Sequence, residues 1–418
     1  MSFLKKSAFK ESSFTSFLKW GVLGVLMGGI GGVLGALFAH ALEFAVEFRG
    51  ENSWLIYLLP LGGVMTVGLY RLFRMQKNRG TNEIIDAVLS KTAVKTAVAP
   101  LIFVSTAIAQ LFGASSGREG AALQIGGAVA SAVAKIFRMK EDERSILVMC
   151  GMSAVFAGLF GTPLTAAIFV IEFITVGTLY LSAILPCFVS AFLASYISSL
   201  MGVHAETVPL GKMFGFTPGS VAQLVAFAVA IAILSMLMCK TIHTAEHMFA
   251  KWFKNTYIRA VVGALVLLVL TLIVGDQRYN GAGMSMVLTA VEGEADWYDF
   301  ILKLLFTSLS LAAGFKGGEI VPTFCIGATF GCFFGEVIGM NPAFSGALGL
   351  VALFCAVTNS PLASIILSIE MFGGENLYAF VLVCVLVFVL SGDGGLYSSQ
   401  TKTFSKKTLF QLSKKENS

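Results

Sequence analysis

Charge is scarce in this chain. Asp, Glu, Lys and Arg make up 13% of 418 residues, while apolar types reach 56%. A soluble domain carries about 25% charge, so an ordinary soluble domain is excluded. Cysteine supports neither a disulfide framework nor a zinc site: the seven residues (Cys150, Cys187, Cys239, Cys325, Cys332, Cys355, Cys384) are odd in number, lie in or beside apolar runs and form no C-x-x-C. They read as packing residues. The four histidines and the short polar ends leave no room for an appended soluble domain. The first twenty residues are polar and mixed, unlike a cleavable signal peptide. The net charge of +5 comes from short loops and tails and forms no stripe for nucleic acid.

What the chain has is long apolar runs, at 21–48, 54–73, 95–112, 146–171, 177–200, 220–238, 257–274 and 377–391. Each is long enough to cross a bilayer as a helix. Only helices or a closed barrel satisfy the backbone in lipid, and runs without alternation exclude the barrel. Lys5, Lys6, Lys10 and Lys19 precede the first run. Arg71, Arg74, Lys77 and Arg79 follow the second, and Lys402, Lys406, Lys407, Lys414 and Lys415 follow the last. The positive-inside rule places all three segments in the cytoplasm. The loop at 275–299, with Asp276, Glu292, Glu294, Asp296 and Asp299, is expected outside. The expectation is an all-α, multi-pass protein of the cell membrane with both termini cytoplasmic.

The chain repeats itself. QIGGAVA at 124–130 resembles CIGATFG at 325–331, and PLTAAIFVIE at 163–172 resembles PLASIILSIE at 361–370, at offsets of 201 and 198. The expected organisation is a cytoplasmic tail at 1–19, a first membrane repeat at 20–200, a linker at 201–219, a second repeat at 220–395, and a final segment at 396–418 carrying Tyr397 and the cytoplasmic tail. Repeated halves with Gly- and Pro-interrupted segments place an ion site at the repeat interface. Short segments at 81–90, 120–137 and 320–340 follow glycines at Gly80, Gly117 to Gly120 and Gly317-Gly318. A half-helix starting at such a place offers free N–H groups and a positive dipole end to an anion.

GASSGREGAALQIGG, residues 113–127, sets Arg118 and Glu119 between two glycines in an otherwise apolar setting. An ionisable group inside a membrane is a functional candidate. The Glu119 carboxylate can occupy an anion site built from amides and leave it when protonated, which makes it both a gate and a proton carrier. The competing reading is a local Arg118–Glu119 pair in a loop.

GREGxxxQ at 117–124, GGEIVP at 317–322 and Tyr397 in GLYSS resemble the CLC family of anion channels and proton-coupled anion antiporters. The resemblance runs from the first apolar run to Tyr397. It implies inverted halves whose half-helices meet at a mid-membrane anion site, a homodimer with one pathway per subunit, Glu119 as the external gate, and Tyr397 beside the central anion. The residues expected around that anion are Thr81, Gly117, Arg118, Gly120, Glu319, Ile320, Val321 and Tyr397. No cofactor or metal is implied.

Departures from the chloride-type pattern narrow the expectation. GTNEI at 80–84 stands where G-S-G-I-P is usual, placing Thr81 at the serine position. Glu319 replaces an apolar residue, Ala121 replaces proline after GREG, and Phe173 stands at the internal proton-relay position. This set resembles the fluoride-selective branch, which exports fluoride in exchange for protons. A chloride/proton antiporter or chloride channel is the alternative. Fluoride is small and strongly hydrated, so its site needs close donors. A protonated Glu319 can donate a hydrogen bond and an ionised one repels the ion; the Thr81 hydroxyl can donate too. Competing readings are a Glu319–Lys316 salt bridge, Thr81 as a helix N-cap, and Tyr397 as an interfacial anchor. Glu172 and Glu370, at matching places in the two halves, are expected to support structure.

HTAEH at 243–247 matches the H-x-x-E-H zinc-protease pattern. It sits among Lys240, Lys251 and Lys254 with no third ligand in view, and is expected to be a cluster at a cytoplasmic helix end. A cation pathway is disfavoured, because helix N-termini and an arginine repel cations.

Overall fold

Prolines, glycines and polar caps cut the apolar runs into sixteen α-helices among the described residues, 13–406, in this computed structural model. The first series is α1 (Ser13–Glu51), α2 (Leu59–Leu72, entered through a 3-10 turn at Ser53–Leu58), α3 (Thr81–Leu89), α4 (Val98–Phe112), α5 (Glu119–Ile136), α6 (Glu141–Phe160), α7 (Pro163–Phe173) and α8 (Ile184–Leu200). The second is α9 (Pro218–Trp252), α10 (Thr256–Val274), α11 (Met284–Glu292), α12 (Asp299–Ala313), α13 (Ile320–Val337), α14 (Pro342–Thr358), α15 (Pro361–Phe372) and α16 (Leu377–Leu390). Three matching pairs have equal lengths: α3 and α11 have 9 residues each, α4 and α12 have 15, α5 and α13 have 18. The weak motif repeat is accompanied by a repeated order of helices. Seven helices among the described residues are long and apolar enough to cross a membrane.

Close packing inside each half uses the same device. Gly126 of α5 faces Gly151 of α6, and Gly327 of α13 faces Gly349 of α14; a Cβ on any of the four would strike the facing backbone. With no hydrophobic drive between helices in lipid, small residues let the backbones approach.

The halves also hold each other by their glutamates. Glu172, at the end of α7, accepts from the Leu362 and Ala363 amides of α15 at 3.0 and 2.8 Å. Glu370, at the end of α15, accepts from the Leu164 and Thr165 amides of α7 at 2.9 and 2.8 Å. Both helices open with proline at the first turn, so each carboxylate meets the free amides that remain.

Several boundaries differ from the sequence reading. The run at 146–171 is two helices. Gly161 takes a left-handed conformation (φ 70°) and Pro163 restarts the chain as α7, a break that hydropathy averages away. Residues 13–19 belong to α1 and are not tail. Helix α9 outruns 220–238 and carries HTAEH within its last ten residues, near its end as expected. Helix α11 occupies part of the loop expected at 275–299, and α12, α14 and α15 fall outside the runs picked out above. The linker docks on the second half, with Val208 N–H donating to Met371 and Leu210 N–H to Phe372. Lys5, Lys6, Lys10, Lys407, Lys414 and Lys415 lie outside the described residues.

After α16 the chain returns to the first half. Strand β1 (Thr175–Val176) pairs in parallel with β2 (Thr401–Lys402). The Gln400 amide donates to the Phe173 and Thr358 carbonyls at 2.5 and 2.8 Å. These contacts fix the segment carrying Tyr397.

Candidate anion pathway

Helices α5 and α13 meet at their N-termini. Gly117 and Gly318 form an antiparallel bridge, with N–H to O distances of 2.5 and 2.7 Å. Space dictates glycine here: a Cβ on Gly117 would collide with the Glu119 carboxylate, and one on Gly318 would lie 2.6 Å from the Gly120 nitrogen.

Glu119, the first residue of α5, is fully buried. Its Oε2 accepts from the Arg118 amide at 3.0 Å and from the Val321 amide of α13 at 3.1 Å. The carboxylate thus rests between the positive ends of two helices, a place suited to an anion. Its Oε1 has no hydrogen-bond partner among the described residues. The Arg118 guanidinium turns away, bonding Glu206 of the linker at 2.8 Å and lying 5.2 Å from the Phe160 ring centroid. A local Arg118–Glu119 side-chain pair is replaced by this long-range one.

Two cavities flank the crossing. One, of about 540 Å³, is lined by residues that include Arg49, Gln110, Arg118, Glu206, Arg278 and Val321. The other, of about 370 Å³, is lined by residues that include Thr81, Gln124, Lys316, Gly317, Glu319 and Tyr397. Arg118 and Val321 face the first and Gly317 and Glu319 the second, so the Glu119 crossing stands between them.

The remaining candidates gather on the second cavity. Gly80 (φ 64°) is the N-cap of α3, and Thr81 follows as its first residue, so Thr81 is not the cap. Its buried hydroxyl lies 3.5 Å from the Gly120 carbonyl, at the limit of a hydrogen bond. Gly120 also accepts from the Gln124 amide at 3.0 Å. Glu319 is the N-cap of α13 and its Oε2 is buried without a protein partner. No Glu319–Lys316 ion pair occurs among the described residues; the Lys316 ammonium sits 4.9 Å from the Tyr70 ring centroid. Ile320 opens α13 and is fully buried. Tyr397 is 4% exposed, too buried for an interfacial anchor. It meets Phe173 edge-on at 5.6 Å, and its hydroxyl has no protein partner. Buried polar atoms are nearly always paired. Glu119 Oε1, Gln124 Oε1, Glu319 Oε2 and the Tyr397 hydroxyl are exceptions on or beside one route.

The sequence assigned no role to Arg49, Gln110, Gln124, Glu206 or Arg259, and gave Lys316 only as a salt-bridge partner of Glu319; all six line these cavities. Gln124 had a signal, as the last residue of GREGxxxQ. Glu206 had none, because its partner is 88 positions away. The HTAEH residues are engaged otherwise than as ligands: His243 Nε2 lies 3.0 Å from the Gly395 carbonyl, and its Nδ1 lies 3.9 Å from Glu246. Among the described residues no group of three or more His, Cys, Asp or Glu is placed to hold a metal ion.

Residues 62–392 match the family described as voltage gated chloride channel. The chain is 32% identical over 396 residues to a chloride/fluoride channel protein of Pseudomonas syringae pv. tomato, covering 93% of this chain and 87% of that one. It is 26% identical over 418 residues to the H(+)/Cl(-) exchange transporter ClcA of Vibrio campbellii, covering 90% and 87%. Among solved structures, a CLC-type fluoride/proton antiporter superposes with TM-score 0.90 at 29% identity, over 94% of this chain and 100% of that one. A slow cyanobacterial Cl−/H+ antiporter superposes with TM-score 0.77 at 19% identity, over 89% and 94%, a likeness of fold.

Proposed function

Since the chain belongs to the CLC family of voltage gated chloride channels, a multi-pass membrane family of two inverted helical halves, we propose that it exports fluoride in exchange for protons, with Glu119 as gate and proton carrier. The observation that carries this reading is the Glu119 carboxylate, itself an anion, held by amides of both half-helices between two cavities. Fluoride entering from the Tyr397 side competes for those amides. Protonation discharges Glu119, weakens its hold on the N–H groups and frees the place for the ion. Return of the carboxyl proton to the Tyr397 side completes an exchange. Thr81, Glu319 and Tyr397 offer hydroxyl and carboxyl donors to the approaching ion, while Gly117, Gly120, Ile320 and Val321 present backbone and Arg118 closes the other side. The Tyr397 cavity faces the cytoplasm. Support comes from Arg79, which bonds Ser398 and Ser399 beside it at 3.4 and 3.2 Å, so a basic loop stands on that side. The protein works in the cell membrane as a homodimer with both termini inside.

Fluoride is favoured over chloride by Thr81, Glu319 and Phe173, by the likeness to a fluoride/proton antiporter at 29% identity, and, less selectively, by the chloride/fluoride channel protein at 32%. The ClcA relative keeps chloride exchange as the second reading. Ion-selective electrodes on proteoliposomes, with internal pH recorded and voltage clamped by an ionophore, decide between them. Fast fluoride efflux with slow chloride efflux and coupled proton uptake is expected. Equal rates would favour chloride-type transport, and no flux of either would remove the anion assignment.

A further inference from the structure

We propose that His243 and Glu246 of α9 form the port through which transported protons pass between Glu319 and the cytoplasm. The proposal rests on the fluoride/proton exchange reading above. A proton leaving Glu119 inward needs a titratable route to water, and the end of α7 gives none. Phe173 is fully buried, stacked 4.5 Å from Phe169 and packed edge-on to Tyr397. Glu172 lines neither flanking cavity and spends both oxygens on the amides of α15.

Helix α9 offers the alternative. Glu246 lines the same 370 Å³ cavity as Glu319, yet its side chain is 49% exposed. It therefore opens on the cavity that also holds the buried carboxyl and is half exposed, which a port requires. His243, one helical turn earlier and 43% exposed, stands beside it and lines a neighbouring cavity of about 530 Å³ that shares Tyr397 and Ser398 with the first. The Gly395 carbonyl can only accept, so His243 Nε2 carries the hydrogen of that bond. In the neutral ring Nδ1 is then the free base, and it is this nitrogen that faces Glu246. Glu246, Glu119, His243, Lys316 and Tyr397 all lie near enough to Glu319 to interact with it electrostatically. Arg259 faces Glu246, and Lys316 also faces Glu246 and Glu83. The cavity therefore gathers positive charge for an anion and carboxylates for a proton.

The step balances without further reactants. A protonated Glu319 gives its proton, through water in the cavity, to the Glu246 carboxylate. Glu246 becomes the acid and passes the proton to His243 Nδ1 or to bulk water. Glu319 is left ionised to accept the next proton from Glu119.

The test measures proton uptake and fluoride efflux together in proteoliposomes containing the full chain. Glu246→Gln keeps size and hydrogen bonding but cannot titrate. Protons moved per fluoride should fall by about five-fold or more, as expected for loss of a proton-transfer group, while fluoride efflux still reports a folded protein. Coupled wild-type exchange with an unchanged ratio in Glu246→Gln would overturn the port alone. Wild-type fluoride flux without any proton movement would overturn the exchange reading and the port with it. Should Glu246→Gln carry no fluoride, Glu246→His decides. Retained coupling with a pH profile displaced toward the histidine range supports the port, and an undisplaced profile overturns it. His243→Gln should narrow the pH range of coupling without abolishing it, and an unaltered profile counts against the port.

Discussion

Glu172 and Glu370 stand in a reciprocal relationship: each closes the first turn of the helix that ends in the other. Four amides that lipid cannot satisfy are bonded across the halves. Replacing Glu172 by Ala leaves two of them unpaired, each costing about 1–3 kcal/mol. Glu172 is 7% exposed, while Glu370 is partly open, so Glu172→Ala should lower the melting temperature in detergent more than Glu370→Ala. Equal and negligible shifts would show that these contacts do not hold the halves.

Glu119→Gln keeps the shape of the gate and removes its titration. Proton uptake driven by a fluoride gradient should fall to the leak of empty liposomes. Proton transport that persists at the wild-type ratio would take the gating role from Glu119.

Glu319→Leu replaces a carboxyl whose Oε2 has no protein partner, so folding loses little. Fluoride efflux should drop by about ten-fold or more, the scale of one lost charge-assisted hydrogen bond, with the melting temperature held. An unaltered fluoride rate would make Glu319 a structural residue.

Gly117→Ala tests the crossing. The added methyl meets the Glu119 carboxylate and, at 2.9 Å, Pro322 Cδ. The protein should still reach the membrane while flux of every anion falls. Normal flux would mean that the Gly117–Gly318 bridge opens freely.

The loop after α10 should respond to acid. Arg278 bonds Asp296 at 2.9 Å and, with the Tyr298 hydroxyl, holds its carboxyl below the usual carboxylate range. A depressed carboxyl stabilises the folded loop above its unfolded value, about 3.9, and that stabilisation is lost as pH falls through the lower folded value. Hydrogen-exchange protection over 276–299 should be level near neutrality and decline in strong acid. Asp296→Asn should remove the acid dependence.

Much of the frame was legible because its signals are local. Glycines and prolines mark the starts of α3, α5, α7, α13 and α15, and the duplicated PLTAAIFVIE and PLASIILSIE fall on equivalent helices. The α6–α7 break was spelled GTP at 161–163 yet hidden by unbroken hydropathy. Helices α12, α14 and α15 lie outside the named runs, although α14, with 17 residues, is longer than α4 and α16, with 15 and 14, which those runs contain. At the candidate site, the residues of the two glycine motifs and Tyr397 lie together around the Glu119 crossing and the cavities beside it. Arg118–Glu206 and the approach of α9 to Glu319 depend on how distant segments fold together, and no spacing encodes them.

Arg118 and Glu319 occupy equivalent positions, the N-caps of α5 and α13, on opposite faces of the Gly117–Gly318 bridge. A frame built from two like halves facing opposite ways has no inherent polarity; turned over, it would look much the same to an ion. These two side chains, like Glu119 against Ile320 one position later, break that likeness. A fixed cation stands at one mouth and a titratable acid at the other, so the two faces present different chemistry to the same ion. Whatever vectorial character the transporter has need not be built into the duplicated scaffold.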